Sequence, residues 1–360
     1  MSLISNKNLI FLLIIGAALR FLSIYLYGDT EVDNEWGIML FNLEQNNILS
    51  VRAVDGVPVP NIFMPPLYPI FLYVVKIPFE DINLFLNVVL IIQLILSIIT
   101  IFFAHKIFLE FFSTKISFLG TIIFSLFPLN VYSVSQISSV TLQMFFLNIF
   151  LLSYIKLFKK NELLNILSFS ISSAALILLR GEFFVFVFLS IIFLSLRQKS
   201  IIKIFLSVLF IVLLISPYLY RNYNTFGVLT ITKSSGYNLL KGNHPNTVVE
   251  GTGMFGKVDV VIPETKKELD NLKNLGPISQ HDLLNDNILL DQAIEFIKED
   301  PLKYTKLYFK KFASFIFIDL NSTYPNYYSI IHIFPKLLLS IFTIYGLIIV
   351  LNFGINIQNY

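Results

Sequence analysis

The chain has no cysteine. That excludes a disulfide framework, a thiolate metal site and a cysteine nucleophile, and it leaves the redox compartment unreadable. Charge is also scarce: 14% of the 360 residues are Asp, Glu, Lys or Arg, where a soluble domain carries about 25%. The four histidines (His105, His244, His281, His332) are scattered. No paired-histidine zinc spacing, Gly-rich phosphate loop or dinucleotide fingerprint occurs, so no cofactor is expected, and metal dependence stays open. Net charge is +3, with no basic stripe clear of the hydrophobic segments, which argues against nucleic acid as a partner. What is abundant is apolar: 56% of residues are hydrophobic, 37 are Phe, and mean hydropathy is +0.75.

Crossing a bilayer core takes about 20 apolar residues in a helix. Eight segments qualify or come close: Leu9–Tyr27, Leu84–Ala104, Ile116–Val131, Val140–Ile155, Leu163–Leu179, Phe183–Leu196, Ile201–Tyr220 and Ile330–Leu351. The expected fold is therefore an all-α polytopic membrane protein of about eight transmembrane helices. The first segment carries Arg20 and no small-residue cleavage site, so it reads as a retained helix, with Arg20 a partly buried structural charge. Tyr68–Ile77 is apolar but too short to span and reads as an interfacial helix.

One alternating set of short loops carries Lys7, Lys106, Lys115, Lys156, Lys159, Lys160, Arg197, Lys199 and Lys203, and the other set almost no cation. The positive-inside rule then places the N-terminus in the cytoplasm of a multi-pass plasma (inner) membrane protein. The chain divides into a first transmembrane helix (1–27), an acidic extracytoplasmic loop with an interfacial helix (28–83), spans two to seven (84–220), an extracytoplasmic segment with surface helices (221–328), and a last span with a C-terminal tail (329–360). The first outer loop holds eight acids, Asp29, Glu31, Asp33, Glu35, Glu44, Asp55, Glu80 and Asp81, against Arg52 and Lys76.

Within that loop, Trp36, Met39, Leu40 and Leu43 share helical spacing, and Asp55-Gly56 with Pro58 reads as a turn or small hairpin. Pro65-Pro66 fixes the chain entering the interfacial helix. The second outer segment runs through Gly227, Gly236-Tyr237-Asn238, Gly242-Asn243-His244, Gly251, Gly253 and Gly256, which is loop chemistry. Asp282–Glu299 looks helical with Leu284, Ile288, Ala293 and Ile297 near one face. Pro301–Ile318 looks like a surface helix with a basic side (Lys303, Lys306, Lys310, Lys311) and an apolar side rich in Phe, Tyr and Leu.

Three stretches together resemble the C-type (GT-C) membrane glycosyltransferases of bacteria, whose superfamily includes the protein mannosyltransferases and the aminoarabinose transferase of lipid A. The first is Asp29 to Trp36, followed by Met64-Pro65-Pro66-Leu67-Tyr68-Pro69. The second is Pro217 to Tyr223, then Phe226-Gly227 and Gly236 to Asn243. The third is Ala293 to Tyr304 with the basic helix after it. The resemblance implies a GT-C-like helix bundle. It also implies transfer of a sugar, usually with inversion, from a polyprenyl-phosphate donor to a hydroxyl of a lipid, glycan or protein acceptor on the extracytoplasmic face. By position it places the catalytic carboxylate at Asp33, with Glu35 and Asp29 as near rivals. Val140 stands where the family often has a further acid, which counts against a two-carboxylate or metal-assisted variant.

The chemistry of such a site is simple. An acceptor hydroxyl is a poor nucleophile, and a carboxylate within hydrogen-bond reach takes its proton as the new bond forms, typically worth about 100- to 10,000-fold. The bland alternative is that these acids only solvate an outer loop. A leaving phosphate needs cations, and the guanidinium fork binds two phosphate oxygens. Arg221 and Arg180 lie at the outer ends of spans seven and five; their alternatives are snorkelling to headgroups and, for Arg180, pairing with Glu182. Tyr237, Asn238 and Asn243 are candidates to close over a sugar, or form a plain Gly/Asn turn, and Tyr68 is a candidate to shape the pocket floor. The rival function is a transporter or flippase of lipid-linked sugars. Paired broken spans with polar groups at mid-membrane depth would mark that rival, and the spans read as nearly uniform.

Overall fold

The computed structural model describes residues 3–159, 162–197, 201–251 and 261–353. Lys160, Lys199, Gly253 and Gly256 therefore lie outside the described residues. The chain forms two units, Met1–Thr232 and Lys233–Tyr360. Most of the described structure is helical. Among the described residues, five helices are long and apolar enough to cross a membrane, and a bent pair adds a sixth if it counts as one span.

In the first unit these are α1 (Leu3–Tyr27) and, after α2 (Glu35–Asn46) and the interfacial-length α3 (Leu67–Lys76), α4 (Ile82–Phe111). The bent pair follows, α5 (Thr114–Leu126) and α6 (Pro128–Tyr132). Then come α7 (Val140–Lys159), α8 (Leu163–Leu179), α9 (Phe183–Arg197) and α10 (Ile201–Phe226). Exposed Ile10, Phe11 and Ile14 on α1, and Val212, Leu213 and Leu214 on α10, give these helices lipid-compatible outer faces. The protein is membrane-embedded.

The third expected span, Ile116–Val131, is not one continuous helix. The chain bends by 55° between α5 and the segment starting at Pro128, because proline cannot continue the hydrogen-bond ladder of α5. Arg20 caps that break. Its side chain is fully buried; Nε donates to Ser97 Oγ (2.7 Å), and Nη1 donates to the carbonyls of Gly16 and Ser125 (3.1 Å each). Ser125 lies in the last turn of α5, where orphaned carbonyls and the negative end of the helix dipole favour a cation. The charge expected to be partly buried is thus wholly buried, tying α1 to α4 and α5.

The segments expected as spans five and six form α8 and α9, of 17 and 15 residues, or roughly 26 and 23 Å at the α-helical rise. Eleven residues of α8 are buried. α8 packs against both α7 and α10, and its buried Ser170, Ser173 and Ala174 supply the small-residue packing that draws helices together in lipid. Ser170 Oγ donates to Ile166 O (2.8 Å) within α8 and to Ser207 O of α10 (3.2 Å).

Two short strands, β1 (Arg52–Val54) and β2 (Val57–Val59), pair antiparallel across Asp55-Gly56. Asp55 and Gly56 have φ of 51° and 78°, the double left-handed geometry of a two-residue hairpin turn, which glycine enters without steric cost.

The second unit contains α11 (Ser235–Gly242), α12 (Pro263–Asn274), α13 (His281–Glu299), α14 (Pro301–Ile316) and the apolar α15 (Ile330–Phe353). Its core is Leu240, Leu289, Ala293, Phe296 and Tyr304. Of the four apolar residues near one face of α13, Ala293 is in the core and Ile297 packs against it. Asp286, Leu289, Gln292, Ala293 and Phe296 are buried, while Leu284, Ile288 and Ile297 are only partly so. Asp286 turns inward because Oδ1 accepts the Tyr237 amide (2.9 Å) in the first turn of α11 and Oδ2 accepts from Ser235 Oγ (3.4 Å). A carboxylate at a helix N-terminus satisfies orphaned donors and the dipole together.

Candidate functional site

The acidic loop is fastened at both ends and open between them. As α1 ends, the Asp29 amide donates to Ser135 O (2.9 Å), and Asp29 Oδ2 accepts the Ile137 amide (2.6 Å). The loop re-enters structure at Asn34, whose Oδ1 accepts the Trp36 amide (3.0 Å) and caps α2. Asp33 lies between these fixed points. It is exposed and makes no hydrogen bond or ion pair among the described residues. Glu35 is exposed in the first turn of α2, where its charge complements the helix dipole.

Behind the loop, buried Trp36 meets Tyr68 edge to face, with ring centroids 5.1 Å apart. Tyr68 is fully buried. Its hydroxyl donates to Gln93 Oε1 (3.1 Å), and Gln93 Nε2 donates to Val134 O (3.3 Å) and Gln136 O (2.9 Å). Burial, and after it the negative charge of Asp29, push the Tyr68 hydroxyl well above its ordinary value. Segment 134–137 is therefore a hub that holds both Asp29 and Gln93. Gln93 was visible in the sequence as an amide deep inside an apolar span, a signal that ordinarily marks structure or function.

The two arginines differ. Arg221 is partly buried: Nη1 donates to Asn61 O (2.7 Å) and to Asn222 Oδ1 (2.8 Å), and the guanidinium lies over the rings of Phe226 (5.2 Å) and Tyr218 (5.7 Å). It clamps α10 to the turn before Pro65. That turn is built by buried Asn61, which accepts the Phe63 and Met64 amides (3.0 and 2.9 Å) and donates to Met64 O (2.8 Å). Asn222, also buried, donates to Thr230 O (2.6 Å). Arg180 is exposed at the end of α8 and, among the described residues, pairs with no carboxylate, Glu182 included. Among the described residues no ion pair joins Asp29, Asp33 or Glu35 to any cation, and no cluster of three or more His, Cys, Asp or Glu could hold a metal ion.

In the second unit, two of the expected sugar contacts are committed to backbone. Asn238 Nδ2 donates to Ser234 O (2.9 Å) and Asn243 Nδ2 to Leu239 O (2.9 Å). Tyr237 packs on the core of that unit, with Lys241 Nζ over its ring at 6.0 Å.

The spans are less uniform than the sequence reading held. Besides the break at Pro128, α4 buries a polar row of Gln93, Ser97 and Thr100, and buries His105 on another face. A small polar cavity of about 10 Å³ beside Arg20 is lined by Ser97, Thr100, Asn130, Ser133 and Thr141, room for about one water.

Comparison with protein-family models, curated proteins and solved structures finds no match for this chain.

Proposed function

We propose that the protein is a membrane glycosyltransferase of the C type, moving a sugar from a polyprenyl-phosphate donor to a hydroxyl of a lipid, glycan or protein acceptor at the extracytoplasmic face. The observation that carries the reading is the state of Asp33: a carboxylate with no partner among the described residues, in a short loop pinned on one side by Asp29 and on the other by the Asn34 cap. A general base needs that combination of a free acceptor oxygen and a positioned backbone. Asp29 is the weaker choice, since one of its oxygens already takes the Ile137 amide. Glu35 serves the α2 dipole. Arg180, exposed and unpaired, is the better placed cation for the donor phosphate. Arg221, committed to Asn61 O through Nη1, orders the turn that leads to Tyr68.

On this reading α8 and α9 cross the membrane with the six longer segments, giving eight spans. A tilted or locally thinned bilayer accommodates their short lengths. The N-terminus is cytoplasmic and the acidic loop extracytoplasmic. The test is release of free polyprenyl phosphate from radiolabelled polyprenyl-phosphate sugars by purified protein, with and without membrane lipid extract. Release dependent on the extract is expected; tight donor binding without release from any donor would refute transfer.

A second reading, a flippase or transporter of lipid-linked sugars, is favoured by the broken α5–α6 span and the buried polar row around Arg20. Movement of a labelled lipid-linked sugar across liposomes, with no carrier phosphate released, would select it.

A further inference from the structure

The second unit carries an open cavity of about 450 Å³ with a mixed polar and apolar lining, within the ~300–1,000 Å³ range of small-molecule sites. Its walls come from separate elements: the end of α11, the turn 244–247, the segment 247–251, α14 and the loop at Thr323-Tyr324. Hydrogen bonds hold these walls in place. The His244 amide donates to Thr247 Oγ1 (2.9 Å) and the Thr247 amide to His244 O (2.9 Å). The Thr323 amide donates to Glu250 O (3.1 Å), and Lys311 Nζ donates to Gly242 O (2.5 Å).

The lining chemistry is one-sided. Lys241 and Lys311 supply positive charge. The acid present, Glu250, is neutralised: its Oε1 takes Lys336 Nζ (2.6 Å) and the Ser314 hydroxyl. His244 is 3% exposed. Its Nδ1 accepts the Asn246 amide (3.2 Å), which assigns the ring proton to Nε2. With Nδ1 so engaged, the ring lines the cavity with its Nε2–H as the donor. Burial, then Lys311 and Lys303, lower the imidazole below its ordinary value, so it is a neutral donor near pH 7. Asn246 and the exposed ring of Tyr324 complete the wall. Side-chain amides and hydroxyls suit sugar hydroxyls, and an aromatic face suits a pyranose.

We infer that this cavity binds a sugar that carries an anionic group, phosphate or carboxylate, with Lys241 and Lys311 meeting the anion and the His244 Nε2–H, Asn246 and Tyr324 meeting the ring. The inference rests on the glycosyltransferase reading only in naming that sugar as the acceptor; the binding chemistry stands without it.

The experiment is calorimetric titration of the full chain in detergent with glucose 1-phosphate, glucuronate, glucose and inorganic phosphate in turn. The two anionic sugars should bind, and glucose and inorganic phosphate should each be at least about tenfold weaker, the loss expected when one charged hydrogen bond or the ring contacts are missing. Lys241→Gln and Tyr324→Ala, both at exposed positions, should each weaken glucose 1-phosphate about tenfold at unchanged thermal stability. Glucose binding as tightly as glucose 1-phosphate, inorganic phosphate doing so, absence of binding by every probe, or indifference to Lys241→Gln would overturn the inference. Displacement of the sugar phosphate by phosphatidylglycerol vesicles would reassign the cavity to a lipid headgroup and overturn it equally. Carrier-phosphate release is measured separately. Release without sugar-phosphate binding sinks this site alone, and binding without release sinks the transfer reading alone.

Discussion

Replacing Asp29 separates holding the acidic loop from performing chemistry in it. Asp29 Oδ2 accepts a 2.6 Å hydrogen bond from the Ile137 amide, and Ile137 is 1% exposed, so water does not replace a lost partner. A hydrogen bond to a charged group contributes about 1.5–3 kcal/mol and a neutral one about 0.5–1.5 kcal/mol. Asp29→Asn can still present an oxygen to Ile137 and loses only the charge assistance, about 1 kcal/mol. Asp29→Ala leaves a buried amide unsatisfied and should cost about 2–3 kcal/mol. Denaturation of the purified protein in mixed micelles, followed by circular dichroism, measures both. Turnover in Asp29→Asn should persist at a reduced level. Two results would refute the reasoning: Asp29→Ala no less stable than Asp29→Asn, or Asp29→Asn fully inactive at wild-type stability. The first would mean the Ile137 bond holds nothing; the second would make Asp29 the base.

Three further outcomes follow from the packing. Arg20→Met should destabilise the first unit by about 2–4 kcal/mol, since Ser97 Oγ and the Ser125 carbonyl at the end of α5 lose their donor; Arg20→Lys should recover only part, measured by the same denaturation. Gly236→Ala should destabilise the second unit by about 1–3 kcal/mol or more, because a Cβ there would sit 1.9 Å from Asp286 O; wild-type stability would mean α11 does not pack on α13 this closely. Burial raises the Glu250 carboxyl, but hydrogen bonds from Lys336, Ser314 and Tyr327 outweigh it and hold the group below its ordinary value. A depressed folded-state value means its stabilisation is present above about pH 4.5 and is lost as pH falls further. Melting profiles between pH 6 and 3 should show that loss in the wild type and a flatter slope in Glu250→Gln.

Local chemistry was legible in the sequence where a short motif settled it. The helix expected at Tyr68–Ile77 is Leu67–Lys76, the hairpin sits on Asp55-Gly56, and of the four residues at helical spacing in α2, Trp36, Met39 and Leu40 are buried and Leu43 is half-buried. Apolar composition was enough to identify a membrane protein, because length and hydropathy are local properties. The break at Pro128 was misread inside an apparently continuous span, although the proline itself was visible. What the sequence did not reveal is long-range. Asp29 reaches Ile137, Tyr68 reaches Gln93, and Arg221 reaches Asn61 across 108, 25 and 160 positions. No periodicity encodes such pairs. The buried face of α13 has the same character: polar Asp286 and Gln292 lie in it, Asp286 as a cap for α11. Hydropathy periodicity cannot anticipate a carboxylate whose partner lies on another helix.

The most direct test of the central claim is carrier-phosphate release by Asp33→Asn beside wild type, with a labelled polyprenyl-phosphate sugar and membrane lipid extract. Because Asp33 is exposed and unpartnered, the substitution should leave stability within about 0.5 kcal/mol of wild type. Release should fall by about 100-fold or more, the scale of a lost general base. Wild-type release from a stable Asp33→Asn protein would contradict the account.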